Sequence, residues 1–98
     1  MSDMSPITPE ASQEISFLLL EVYAERIKQL NKWGVQDCTD FEWISILTEE
    51  VGEAAKEAND FNFIKINDST ALPRLRKELI QIAAVAVAHV EAIDRRTS

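Results

Sequence analysis

Four carboxylates and one amide carry the chemistry that this sequence offers. Glu49, Glu50 and Glu53 form an EExxE motif, and Glu78 and Gln81 form ExxQ some two dozen residues later. At roughly 100° per residue on a helix, the three glutamates of the first motif fall within about 100° of arc, so they share a face. Like charges one turn apart repel, which makes the clustering costly unless a cation offsets it. The ordinary alternative is a solvated acidic face that also includes Glu57. Against it, Trp43 and Ile46 lie one turn upstream on the same side, where a face that met only water would not carry them.

Glu78 and Gln81 are one turn apart, and their line continues through Val85 into apolar surface, so polar groups head a buried stripe. A buried carboxylate needs a cation or hydrogen bonds. A divalent ion shared with Glu50 and Glu53 meets that need, as does an ion pair with Arg74 or with the first helix. Oxygen ligands with no nearby histidine or cysteine select Mg²⁺, or Mn²⁺ in its place, and phosphate substrates suit that ion. His89 is eleven residues beyond Glu78, roughly 16 Å along a helix, and reads as a core or interface residue. Cys38 has no CxxC partner and reads as a small loop residue.

The elements that must position these groups are helices. The 98 residues include only two glycines, and no alternating strand pattern is sustained. The first helix starts at Thr8-Pro9 and ends by Trp33-Gly34, carrying Ile15, Leu18, Leu19, Val22, Tyr23, Ile27 and Leu30 at helical spacing. The second starts at Thr39, where Thr39 and Glu42 have the spacing of a capping box. It continues along an apolar stripe of Ile44, Leu47, Val51, Ala54, Ala55 and Ala58. A link from Asn59 to Thr70 follows, interrupted by Phe61, Phe63, Ile64 and Ile66. The third helix runs from about Pro73 to Arg95, apolar on nearly every side through its middle, and so should be surrounded by protein.

The expectation is one all-α domain over residues 1–98, with 1–10 a flexible tail. A chain this short buries only about 60 to 65 per cent of its unfolded surface, which favours pairing with a second copy. The net charge of −7 argues against binding polymeric nucleic acid. The apolar run Leu79–Ala88 is too short to span a bilayer, the amino terminus lacks a signal-peptide n-region, and a single cysteine fits a reducing, cytoplasmic setting.

These motifs, with Arg26, Gln29, Lys32-Trp33-Gly34, Phe41-Glu42-Trp43, Val51-Gly52-Glu53-Ala54-Ala55 and Glu78-Leu79-Ile80-Gln81, resemble the EExxE…ExxD signature of the all-α nucleoside triphosphate pyrophosphohydrolases, in particular the short MazG-like proteins. The resemblance covers about residues 14–93. It implies a helical bundle that forms a homodimer or homotetramer and hydrolyses a nucleoside triphosphate between the α and β phosphates. It also implies Mg²⁺ held by Glu50, Glu53 and Glu78, with Glu49 a further ligand or the general base. Gln81 departs from the signature's aspartate, offering an oxygen without a charge. A second ExxD, Glu91 to Asp94, lies roughly 20 Å farther along and reads as a surface pair.

For substrate, Lys32, Lys56, Arg74, Arg76 and Lys77 are candidate phosphate partners, Lys56 foremost, and Trp33 and Trp43 are candidates to stack on a base. Two other readings compete. One is a phosphoribosyl-ATP pyrophosphohydrolase, disfavoured by the Lys32-Trp33-Gly34 and Phe41-Glu42-Trp43 context. The other is a non-catalytic helical interaction module, which Gln81 in place of aspartate would suit.

Overall fold

The structure, a computed structural model, describes residues 6–63 and 70–98, with side chains over 6–59 and 70–98. It is all-helical there: α1 (Pro9–Trp33), α2 (Asp40–Phe63) and α3 (Ala71–Thr97). The first two helices begin where their capping residues dictate. Thr8 is extended, its hydroxyl accepts from the Ala11 amide at 3.1 Å, and Pro9 opens the helix where no amide donor is needed. Pro9 and Glu10, expected in the tail, are therefore helical. At the other end Gly34 adopts φ 70° and its amide donates to the Leu30 carbonyl at 2.8 Å, a conformation that any side chain would strain.

The capping box at α2 forms as the spacing requires. Glu42 N–H donates to the Thr39 hydroxyl at 3.2 Å, and Thr39 N–H donates to the Glu42 carboxylate at 2.9 Å. The Thr39 amide, donating to the carboxylate, and after it the Thr39 hydroxyl hold the Glu42 carboxyl below its ordinary range. α2 then continues to Phe63, so the first five residues of the expected link are helical. The side chains of Phe61 and Phe63, and Ile64 and Ile66 entirely, lie outside the described residues, as do residues 1–5. α3 begins at Ala71, two residues ahead of Pro73. The proline falls in the first turn, where its missing N–H breaks no intrahelical bond.

α3 is the central element. It packs against both other helices, whereas α1 and α2 do not pack on each other among the described residues. α2 and α3 run antiparallel. Asp40 at the start of α2 accepts from His89 at 2.9 Å and from Arg96 at 3.0 Å near the end of α3, while Glu57 late in α2 accepts from Arg74 at 3.1 Å. The core is small: Trp43, Val85 and Ala88, with Cys38, Ile46, Leu47 and Ala92 packed around them. His89 stacks on Trp43 with ring centroids 5.8 Å apart, which accounts for it as a packed histidine. α1 is tied to α3 by Arg26, which donates to Glu91 at 2.6 Å, and by Arg76, whose guanidinium grips both oxygens of Glu21. Glu91 is thus engaged with Arg26.

Three expectations about apolar faces change. On α1, Ile15, Leu19, Tyr23 and Ile27 recur every fourth residue yet all are exposed, and no residue of α1 is buried. On α2 the expected stripe is covered in part: Leu47, Ala54 and Ala58 turn inward, whereas Ile44 and Val51 are half exposed and Ala55 is exposed. The inward face is rotated from it and adds Trp43, Ile46, Glu50 and Glu57. α3 is enclosed only along Ala71, Ala84, Val85 and Ala88, leaving Leu79, Val87 and Val90 exposed. The physical reason is shared: three helices of which, among the described residues, two pairs touch cannot cover all their apolar surface. No helix is long and apolar enough to cross a membrane among the described residues.

Candidate functional site

The inward face of α2 explains the acidic motif. Because Trp43, Ile46 and Leu47 seat that face on α3, Glu50 one turn later is carried into the α2–α3 seam and is half buried. Glu53, one turn further, and Glu78 on α3 complete a triad in which one oxygen of each residue lies within 4.8 Å of the others. Two of these carboxyls sit above their usual pKa. Burial pushes Glu50 up first, and the charges of Glu53, Glu78, Glu49 and Glu25 push it further. Burial likewise leads for Glu78, followed by the charges of Glu53 and Glu57 and a hydrogen bond with Glu53, while Lys77 opposes them.

One oxygen of Glu78, Oε2, is buried with no hydrogen-bond partner. A buried acceptor left unmatched is destabilising by roughly 1–3 kcal/mol, more for a charged group. The triad therefore concentrates negative charge that Lys77 offsets in part, and its oxygen donors are of the hard kind that Mg²⁺ or Mn²⁺ takes. The ion pair that could have satisfied Glu78 goes elsewhere: Arg74 donates to Glu57 and to the Thr70 hydroxyl. Glu49 is exposed beside the triad and is not one of its members.

Next to Glu50 a cleft of about 300 Å³ opens in the groove that α1 and α2 leave over α3. Its lining includes Glu25, Gln29 and Trp33 from α1, Trp43, Ile46 and Glu50 from α2, Gln81 and Val85 from α3, and Gln36 from the connecting turn. A second cleft of about 230 Å³ shares Glu25 and Gln81 with the first and adds Arg76, Lys77 and Glu21. The structure thus brings Glu50, Gln81, Trp33 and Trp43 to one cleft and Lys77 and Arg76 to its neighbour. Trp33 is exposed, with the Lys32 ammonium 4.7 Å over its ring. Trp43 is buried, so it forms a wall of the cleft and part of the core together. Lys56 is exposed on α2 and lines neither cleft.

Glu25 was not among the sequence candidates. Its side chain is only 15% exposed, and it stands between the two clefts, close enough for its charge to act on Glu50. The signal for it was available: Glu25, Gln29 and Trp33 recur every fourth residue and form a line of polar and aromatic groups on one face of α1.

No family model, curated protein or solved structure matches this chain.

Proposed function

We propose that this protein is a Mg²⁺-dependent nucleoside triphosphate pyrophosphohydrolase of the MazG-like kind, acting as a homo-oligomer. The observation that carries the reading is the Glu50–Glu53–Glu78 triad, with its unpartnered Glu78 oxygen, at the edge of an aromatic cleft. A carboxylate cluster in the α2–α3 seam, compensated only in part, has a reason to exist if a divalent cation belongs there. Of the adjoining clefts, one carries tryptophans and amides beside Glu25 and Glu50, and the other carries Lys77 beside the Arg76–Glu21 pair and Glu25.

When bound, Mg²⁺ would neutralise phosphate charge and polarise the reacting phosphoryl group. Glu50, Glu53 and Glu78 would hold it, with Gln81 offering a neutral oxygen. The exposed Glu49 carboxylate orients the attacking water and accepts its proton. The water oxygen bonds to the α phosphorus as the bond to the α–β bridging oxygen breaks, giving nucleoside monophosphate and pyrophosphate. Lys77, on the second cleft, supplies positive charge to the phosphates, while Arg74 fixes Glu57 behind the triad. Trp33, with Lys32 over it, offers a ring on which the base stacks.

Assembly is supported by the apolar surface that α1 leaves open, where Ile15, Leu19, Tyr23 and Ile27 recur on one line and all are exposed. A charge there, as in Leu19→Glu, should shift the sedimenting species towards the monomer; a monomeric wild type would remove this part of the reading. The activity is tested by pyrophosphate release from ribo- and deoxyribonucleoside triphosphates with and without Mg²⁺. Release that needs the metal and is lost in Glu78→Gln is the expected result. Absence of release from any nucleotide by folded protein would favour a non-catalytic interaction module.

A further inference from the structure

The wall of the larger cleft carries a donor without an acceptor, which bears on the base that the cleft takes, an inference that rests on the nucleotide reading above. Trp43 lines the cleft and is 4% exposed, and its Nε1–H is buried with no hydrogen-bond partner. An indole N–H only donates, and when buried it ordinarily finds an acceptor. The ring is held in place: His89 stacks on it with centroids 5.8 Å apart, and His89 is itself tied to Asp40 at 2.9 Å. Its core neighbours Val85, Ala88, Ile46 and Leu47 have no side-chain acceptor to give. The cleft side has several, in Glu25, Gln29, Gln36, Glu50 and Gln81, and none of them meets the indole. The acceptor is then left to the cleft's occupant, which reaches the covered nitrogen as the flexible glutamines of the wall swing aside.

We propose that Trp43 is a specificity-determining residue whose indole N–H donates to a carbonyl oxygen of the base, so that the site takes oxo-bearing bases and discriminates against adenine. Adenine is the one standard base without a carbonyl group; its acceptors are ring nitrogens, recessed from the edge. A carbonyl oxygen stands about 1.2 Å out from its ring carbon and offers two lone pairs, so it reaches a donor set in the wall where a ring nitrogen does not. An amino group in the same place sets donor against donor and leaves the indole unmatched. A site with a buried donor rejects the ligand that fails to match it far more strongly than an apolar pocket rejects a misfit.

The test is calorimetric binding of IMP and AMP, which carry a 6-oxo and a 6-amino group, in the presence of a chelator. The expected result is at least about tenfold tighter binding of IMP by wild type, the effect of one buried donor left unmatched. In ¹H–¹⁵N spectra of wild type, the Trp43 indole signal, identified by its absence in Trp43→Phe, should move downfield with IMP and stay in place with AMP. Trp43→Phe keeps an aromatic ring and loses the donor, so there the preference should fall to within about twofold, with helix content unchanged by circular dichroism. Should Trp43→Phe fail to fold, loss of the other indole signal in Trp33→Phe makes the assignment and the wild-type measurements decide. Equal or tighter binding of AMP, an indole signal that does not respond to IMP, a preference that survives in folded Trp43→Phe, or no binding of either monophosphate would each overturn the assignment. The probes need no metal and no turnover. Metal-dependent hydrolysis of triphosphates with no preference between IMP and AMP would therefore leave the nucleotide reading standing and remove Trp43 from base selection.

Discussion

Replacing Glu53 by glutamine should invert the order of stability between metal-free and metal-bound protein. With oxygens of Glu50, Glu53 and Glu78 within 4.8 Å of one another, two unit charges at that separation repel by about 3.5 kcal/mol at an effective dielectric of 20. Glu53 is exposed, so water reduces this towards the few tenths to 1 kcal/mol typical of surface pairs. Removing its charge ends two such repulsions, for a net gain of about 1 kcal/mol in chelator. In a domain of this size that raises Tm by about 4–8 °C. With Mg²⁺ at a hundredfold excess over its dissociation constant, wild type gains about 2.7 kcal/mol by mass action, and a variant lacking one of three ligands gains little. Thermal unfolding in chelator and in Mg²⁺ reads both limits. The curves should cross: variant above wild type without metal, below it with metal. A variant less stable in chelator, or one that responds to Mg²⁺ as wild type does, would refute the reasoning that the triad is held in repulsion for a cation.

Three further outcomes follow from named contacts. Glu50 and Glu78 bind protons more tightly in the folded chain than unfolded, so their contribution to metal-free stability is greatest below the ordinary carboxylate value of 4.5. It falls as pH rises through that value towards the raised folded ones. Glu78→Gln should therefore gain on wild type as pH rises from 4 to 7 in chelator, measured by denaturant midpoints. Asp40 has the opposite sign: hydrogen bonds from His89 first and Arg96 second hold its carboxyl below 3.8, so its stabilisation is present above that value and lost as pH falls through the folded one. Asp40→Asn should lower Tm at pH 7 and converge with wild type in strong acid. Ala84 has no exposure at all, so Ala84→Leu overfills the seam around α3 and should be destabilising by about 1–3 kcal/mol in urea.

Local chemistry was legible in the sequence because its causes are local. Thr8 with Pro9, Thr39 with Glu42, and Gly34 each form the cap that their types and spacing require. The meeting of Glu50 and Glu53 with Glu78 was legible for a different reason: Trp43 and Ile46 mark the carboxylate side of α2 as the packed side, and they do seat it on α3. What could not be read was which apolar line finds a partner within the chain. Ile44 and Val51 look as much like partners of Leu47 in a core stripe as Trp43 and Ile46 do, and periodicity cannot rank two such flanks on one helix. The Ile15–Tyr23 line on α1 has the same ambiguity, since its spacing is identical whether it packs against this chain or another. Glu25 escaped notice because its importance comes from the groove between α1 and α2, which no one-helix pattern contains.

The most direct test of the central claim is hydrolysis of a nucleoside triphosphate in ¹⁸O-labelled water with Mg²⁺, followed by mass analysis of both products. Attack at the α phosphorus predicts one label in the nucleoside monophosphate and none in pyrophosphate, with no turnover in Glu53→Gln. Label in pyrophosphate or in orthophosphate, or equal turnover by the variant, would contradict it.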